Sequence, residues 1–185
     1  MKKAICIFLI LTVLCSLSAC SVFSSGFGLV SNEQLLAMSD EDLLYTVTVA
    51  MNDRVYTPDD PEAGFADLNE VQKNVYALCV YTTEMDCGGL CQFFVNQQSA
   101  SAQQLPQALE AVGAQAHLAL YRDFLNTNSI DPADLSGFAV ETTEDFAVQY
   151  ARFPYEAYDE AYYALPALHE LLVAYIRENI FKITL

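Results

Sequence analysis

The sequence predicts an all-α fold, a compact multi-helix domain, and three observations carry that reading. Apolar residues recur three and four apart through most of the chain, the spacing of one buried helix face. Punctuating residues (Gly88-Gly89, Gly113, Pro154 and Pro166) fall between these stripes and cut them to helical lengths. Apolar and polar residues do not alternate over any stretch long enough for a sheet, and short strand pieces are offered at 138–140 and 181–185.

A first helix is expected over 40–52, because Ser39-Asp40-Glu41-Asp42 has the form of a capping box ahead of Leu43, Leu44, Val47, Ala50 and Met51. Residues 57–64 carry two prolines and a glycine and read as a loop. Asp59, Asp60 and Glu62 offer oxygen ligands there, yet they lack the spacing of a calcium-binding EF-hand loop and read as a solvated turn.

A second helix starts near Asn69, puts Val71, Val75, Leu78, Cys79 and Thr82 on one face, and stops before Gly88-Gly89. Leu90, Phe93 and Phe94 open a short third helix that ends near Asn96. After a Gln/Ser-rich turn over 97–104, Pro106 sits in the first turn of a fourth helix, where a missing N–H is tolerated, and that helix runs to Gly113. The fifth covers 114–125 and buries Leu118, Tyr121 and Leu125.

The longest expected loop is 126–142, with Asp131-Pro132 and Ser136-Gly137. Thr143 is the expected cap of a helix through Phe146, Val148 and Tyr150 that breaks at Pro154. Residues 155–163 are helical again. Pro166 opens a last helix whose apolar stripe is Leu168, Leu171, Leu172, Tyr175 and Ile176. No internal repeat is visible.

The N-terminus has the three parts of a secretory signal: Lys2 and Lys3, an apolar run from Ala4 to Leu17, and small residues after it. That run is shorter than the roughly 20 residues a spanning helix needs. Leu17-Ser18-Ala19-Cys20 resembles the lipobox of bacterial lipoproteins, in which lipid joins the cysteine thiol and cleavage falls just before it. The expectation is a signal peptide over 1–19, a lipidated Cys20 with a flexible tether over 20–33, and an acidic helical domain over 34–185. The partner of Cys20 would be the lipid bilayer, and the address the extracytoplasmic face of the cell membrane.

The whole chain carries 8 cationic against 24 acidic side chains. Loss of Lys2 and Lys3 with the signal leaves six cations, a mature charge of about −18. Such a surface repels phosphate backbones, so direct nucleic-acid binding is disfavoured, and basic proteins or peptides are favoured partners. The same charge also serves plain solubility.

Three stretches carry a family resemblance: Gly88-Gly89-Leu90-Cys91-Gln92-Phe93-Phe94-Val95-Asn96, Ala108-Leu109-Glu110-Ala111-Val112-Gly113-Ala114, and Tyr158-Asp159-Glu160-Ala161-Tyr162-Tyr163. Over about 68–179 the chain resembles the DNA-mimic-protein family, a bacterial domain family of unknown function. The resemblance implies an α-helical fold and a homodimer; in the DNA-mimic member, surface carboxylates imitate the phosphates of a duplex. This chain departs from the pattern at Cys87, where the family usually has asparagine. Its expected export also separates it from cytoplasmic DNA-binding proteins, so DNA mimicry does not follow. Read physically, Gly88-Gly89 suits a tight turn, Phe93 and Phe94 suit a core, and Gln92 and Asn96 share a helical face from which to bond a neighbouring backbone. The expected role of the motif is structural.

Beyond Cys20 the mature chain has Cys79, Cys87 and Cys91. Export permits a disulfide, Cys79 with Cys87 or Cys79 with Cys91, and three unpaired thiols are the other reading; both stay open. His117 and His169 lie in different helices and read as packing residues, so neither a metal nor a cofactor is expected. Glu144-Asp145 and Asp159-Glu160 read as solvated helix faces. Without nucleophile, phosphate-loop or dinucleotide signatures, the expected function is a non-enzymatic, membrane-anchored interaction module for a basic protein or peptide. A structural envelope lipoprotein without a partner, and an enzyme using Cys87 or Cys91 as nucleophile, are the alternatives.

Overall fold

A computed structural model describes residues 30–58, 60–96 and 99–183. The expected signal peptide, Cys20 and the tether up to residue 29 lie outside these residues, as does Asp59. The described residues hold nine α-helices and no strand, which bears out the all-α reading.

Helix α1 (Asn32–Ala37) begins inside the stretch read as tether, because Ser31 and Gln34 form a reciprocal capping box. Its Leu35 is fully buried. In α2 (Asp40–Tyr56) Ser39 Oγ accepts the Asp42 N–H at 3.1 Å, and three acids in the first turn face the positive end of the helix dipole. This helix runs four residues past its expected end, since Val55 continues the buried stripe of Leu43, Val47 and Met51.

The expected loop at 57–64 is a correction. Asp60 caps a further helix, α3 (Pro61–Ala66), through the amides of Glu62 and Ala63, with Pro61 at the first helical position. A Cβ on Gly64 would stand 2.3 Å from the Val55 carbonyl oxygen, so α3 can lie on the end of α2 only with glycine there.

The long α4 (Glu70–Asn96) is the hub of the molecule, packing against α2, α5, α7, α8 and α9. Asn69 and Gln72 cap its start reciprocally, each side chain on the other's amide at 3.0 Å. Helix α5 (Ser99–Ala111) occupies most of the stretch expected as a Gln/Ser-rich turn. Pro106 therefore sits in the helix interior rather than the first turn, and its missing N–H strands the Ala102 carbonyl four residues back. The Tyr121 hydroxyl, from α6 (Gln115–Asn128), donates to that carbonyl at 3.1 Å.

A 3-10 turn at Ser136–Phe138 follows, and no strand forms over the expected 138–140. The loop around it is fastened to α7 (Thr143–Arg152): Gln149 Nε2 and Arg152 Nη1 both donate to the Gly137 carbonyl. The cap of α7 is Thr142, not Thr143, since Thr142 is the residue three before Asp145 and the two form a capping box. Helix α8 (Tyr155–Tyr163) has the bounds read from sequence, and α9 (Leu168–Glu178) starts two residues after Pro166. In α9 Leu168, Leu172, Val173 and Ile176 are buried, while Leu171 is exposed. A second 3-10 turn, Ile180–Lys182, lies where the other strand piece is expected to begin, and 184–185 lie outside the described residues.

The core is aromatic where α4, α6 and α8 meet. Tyr81 meets Phe93 and Tyr162 edge-on at 5.2 and 5.6 Å, and Phe94 stacks on Tyr121 and Phe138. Each such phenylalanine contributes about 1.5–3 kcal/mol by leaving water. The two ends of the described chain meet as well: Arg177 Nη2 donates to the Met38 carbonyl at 2.9 Å and its Nε to Asp40 Oδ1 at 3.0 Å. Asn69 Nδ2, at the start of α4, donates to the Lys182 carbonyl at 2.9 Å.

Candidate functional site

The Gly-Gly motif is a hinge inside α4. Gly89 has φ 78° and ψ −169°, a conformation essentially closed to residues with a Cβ. The expected break between a second and a third helix thus exists as a kink. An unbroken helix would aim the Leu90 amide at the Asp86 carbonyl. At the kink that amide donates instead to Asp159 Oδ1 of α8, at 2.8 Å. A Cβ on Gly89 would sit 2.2 Å from the other carboxylate oxygen, so the glycine admits the acid as well as the turn.

Three more hydrogen bonds brace the kink. Glu84, on the first half of α4, accepts from Gln92 Nε2 at 2.8 Å and from Asn96 Nδ2 at 3.0 Å on the second half. Gln92 and Asn96 do share a face, as expected, but their partner is a carboxylate and not a backbone group. The Tyr163 hydroxyl, from the end of α8, donates to the Met85 carbonyl. Phe93 and Phe94 are buried in the aromatic core.

Two of the three motif stretches therefore meet here, 88–96 and 158–163. Asp159 is half-buried and hydrogen-bonded, which corrects the reading of Asp159-Glu160 as a solvated pair; Glu160 is exposed as expected. Asp145 of the other pair is exposed, and hydrogen bonds from Thr142 and Glu141 hold its carboxyl below the usual carboxylate range. The third stretch closes α5: Ala108 and Leu109 are buried, and Gly113 ends the helix with φ 75°.

Cys79, Cys87 and Cys91 stand as thiols. Burial pushes the Cys79 thiol up to about 11, against a hydrogen bond from Thr48 that lowers it, and burial pushes Cys91 up to about 12. This is the reverse of the shift that makes a cysteine nucleophilic. Cys87 is exposed at the hinge. His117 is buried, with Nε2 on the Pro166 carbonyl at 2.9 Å, whereas His169 is exposed and outside the buried stripe of α9. No group of three or more acidic, histidine or cysteine side chains among the described residues is placed to hold a metal ion.

Outside the hinge, every described acid except Glu84 and Asp159 is exposed. Lys73 pairs with Glu70 at 3.7 Å and Arg177 with Asp40. Eight cations in the whole sequence cannot neutralise 24 acids, so most of this surface carries uncompensated charge.

The fold and the hinge define an all-α acidic domain built around an acid-capped helix kink. The sequence model of the family described as DMP19-like protein matches residues 66–179. That span is more than half of the chain, and the chain belongs to this family. Its bounds agree with the resemblance read over about 68–179, and they leave α1 and α2 outside the family domain although both bury residues in the same core. No curated protein and no solved structure matches the chain.

Proposed function

We propose that this chain is a membrane-anchored acidic interaction module that holds a basic protein or peptide at the outer surface of the cell membrane. The observation that carries the reading is the placement of the charge: the carboxylates lie on the surface, in threefold excess over cations, while the motif is occupied with holding the hinge. An uncompensated negative surface attracts cationic partners and speeds their encounter in a salt-dependent way. Membership of a DNA-mimic-like family agrees with an acidic surface as the working part. Anchoring through Cys20 rests on the lipobox-like sequence, and a homodimer rests on the family resemblance.

The test is capture of partners from envelope extract and growth medium on the full chain as isolated from membranes, with washes at low and then high salt. A basic protein retained at physiological ionic strength and released at high salt is the expected result. Equal retention by a chain with Asp40, Glu41 and Asp42 changed to Asn, Gln and Asn would exclude an electrostatic footprint there. Recovery of nothing would leave the acidity as a solubility device and sink the proposal. A Cys20→Ala chain that still partitioned with membranes would remove the anchor.

A further inference from the structure

Beside the hinge a pocket of about 190 Å³ opens between α4, the start of α6, the end of α8 and the turn before α9. It exceeds the roughly 150 Å³ cavity known to take a benzene-sized guest, so it has room for one side chain. Thr82, Asp86, His117, Tyr162, Tyr163 and His169 are among its lining residues.

Most of its polar groups are acceptors. The Thr82 hydroxyl gives its proton to the carbonyls of Leu78 and Cys79, at 2.9 and 3.0 Å, and the Tyr163 hydroxyl gives its proton to Met85, so both oxygens keep lone pairs. Asp86 adds an exposed carboxylate. His117 Nε2 meets the Pro166 carbonyl at 2.9 Å, and the residue is only 2% exposed, so its ring joins the pocket as wall. The walls are aromatic, with the His117 and Tyr163 rings set edge-on to Tyr162 at 5.1 and 5.3 Å.

A pocket of acceptors between aromatic rings complements a group that is planar, cationic and donor-only, and guanidinium is that group. We propose that this pocket receives an arginine side chain of the basic partner, with the guanidinium against the Asp86 carboxylate and the tyrosine rings. The inference rests on the interaction-module reading and gives the partner's anchoring residue. The long-range surface charge brings the partner in; the pocket selects which cation stays.

The experiment is an NMR titration of the full chain in detergent, following the tyrosine and histidine ring signals. The probes are N-acetyl-arginine amide, the isosteric but uncharged N-acetyl-citrulline amide, and an Arg-rich decapeptide. Saturable movement of the His117 and Tyr163 rings with arginine and peptide, and none with citrulline, is expected. Asp86→Asn should weaken binding about tenfold, the loss of one charge-assisted hydrogen bond, while Glu41→Gln, which removes the same charge from α2, should leave it within about twofold. Peptide binding that leaves the pocket rings unmoved, or that Asp86→Asn and Glu41→Gln weaken equally, overturns the pocket and leaves the module standing. Absence of peptide binding to any part of the chain overturns both.

Discussion

Two helices of this molecule are interrupted, α4 at Gly89 and α5 at Pro106, and the two interruptions are repaired differently. Glycine turns the backbone itself, so the helix beyond it starts afresh and its first amides need an acceptor; a carboxylate from α8, 69 residues away in sequence, supplies one. Proline keeps α5 one continuous helix and removes one donor, and a single neutral hydroxyl from α6 replaces it. A break in direction thus recruits a charge and close packing, whereas a gap in the ladder needs one hydrogen bond. The first repair joins two family motif stretches; the second involves none of them.

The comparison can be broken at its stronger side first. Gly89→Ala forces a Cβ into a backbone region reserved for glycine and against Asp159, so a loss of about 3 kcal/mol is expected in denaturant unfolding. Asp159→Ala leaves the Leu90 amide, on a buried residue, without its acceptor and should cost about 1–3 kcal/mol, with Asp159→Asn recovering most of that because the amide oxygen still accepts.

On the proline side, Tyr121→Phe strands the fully buried Ala102 carbonyl and should cost about 1–2 kcal/mol. In a Pro106→Ala background the restored backbone N–H can reach that carbonyl, so the Tyr121→Phe penalty should shrink by about half or more. Additive losses across the double-mutant cycle would show that the hydroxyl is not standing in for the missing donor.

The smallest effect concerns Asp145, the same kind of cap standing in water. Its folded carboxyl lies below the ordinary value of 3.8, so the hydrogen-bonded carboxylate adds stability above the unfolded pKa, and that contribution fades as pH falls through the lowered folded pKa. Amide protection factors at Asp145 and its neighbours should fall at acid pH before those of the core of α4 respond. A Thr142→Ala chain, with the box already broken, should lose that early step.

Which parts of this were legible in the sequence follows from the range of the interactions. Helix α8 and the hinge were readable because their signals, Pro154 before Tyr155 and the glycine pair, are local. Helix α1 was missed because its capping box at Ser31 and Gln34 precedes a segment with one fully buried apolar residue, Leu35. The start of α5 was missed because its buried face is made of Ser101 and Ala102, small residues that give no apolar period. Two threonines stand side by side at 142 and 143, and it is the box with Asp145 that makes Thr142 the cap. At the hinge, the sharing of a face by Gln92 and Asn96 is visible in the sequence, but Glu84 as their partner and Asp159 as the acceptor of the Leu90 amide are not, since no short-range pattern pairs positions 8, 12 and 69 residues apart.

The Arg177 contacts have a mechanical meaning. Because one guanidinium holds the Met38 carbonyl and the Asp40 carboxylate together, the entry of the chain is buckled to its last helix. A load arriving through the residues before Val30 would pull along α1 against that buckle and pass into α9, instead of peeling the first short helix away from the rest. A domain suspended by its leading end would then be strained first at a joint between its two ends, leaving the hinge and the pocket beside it slack.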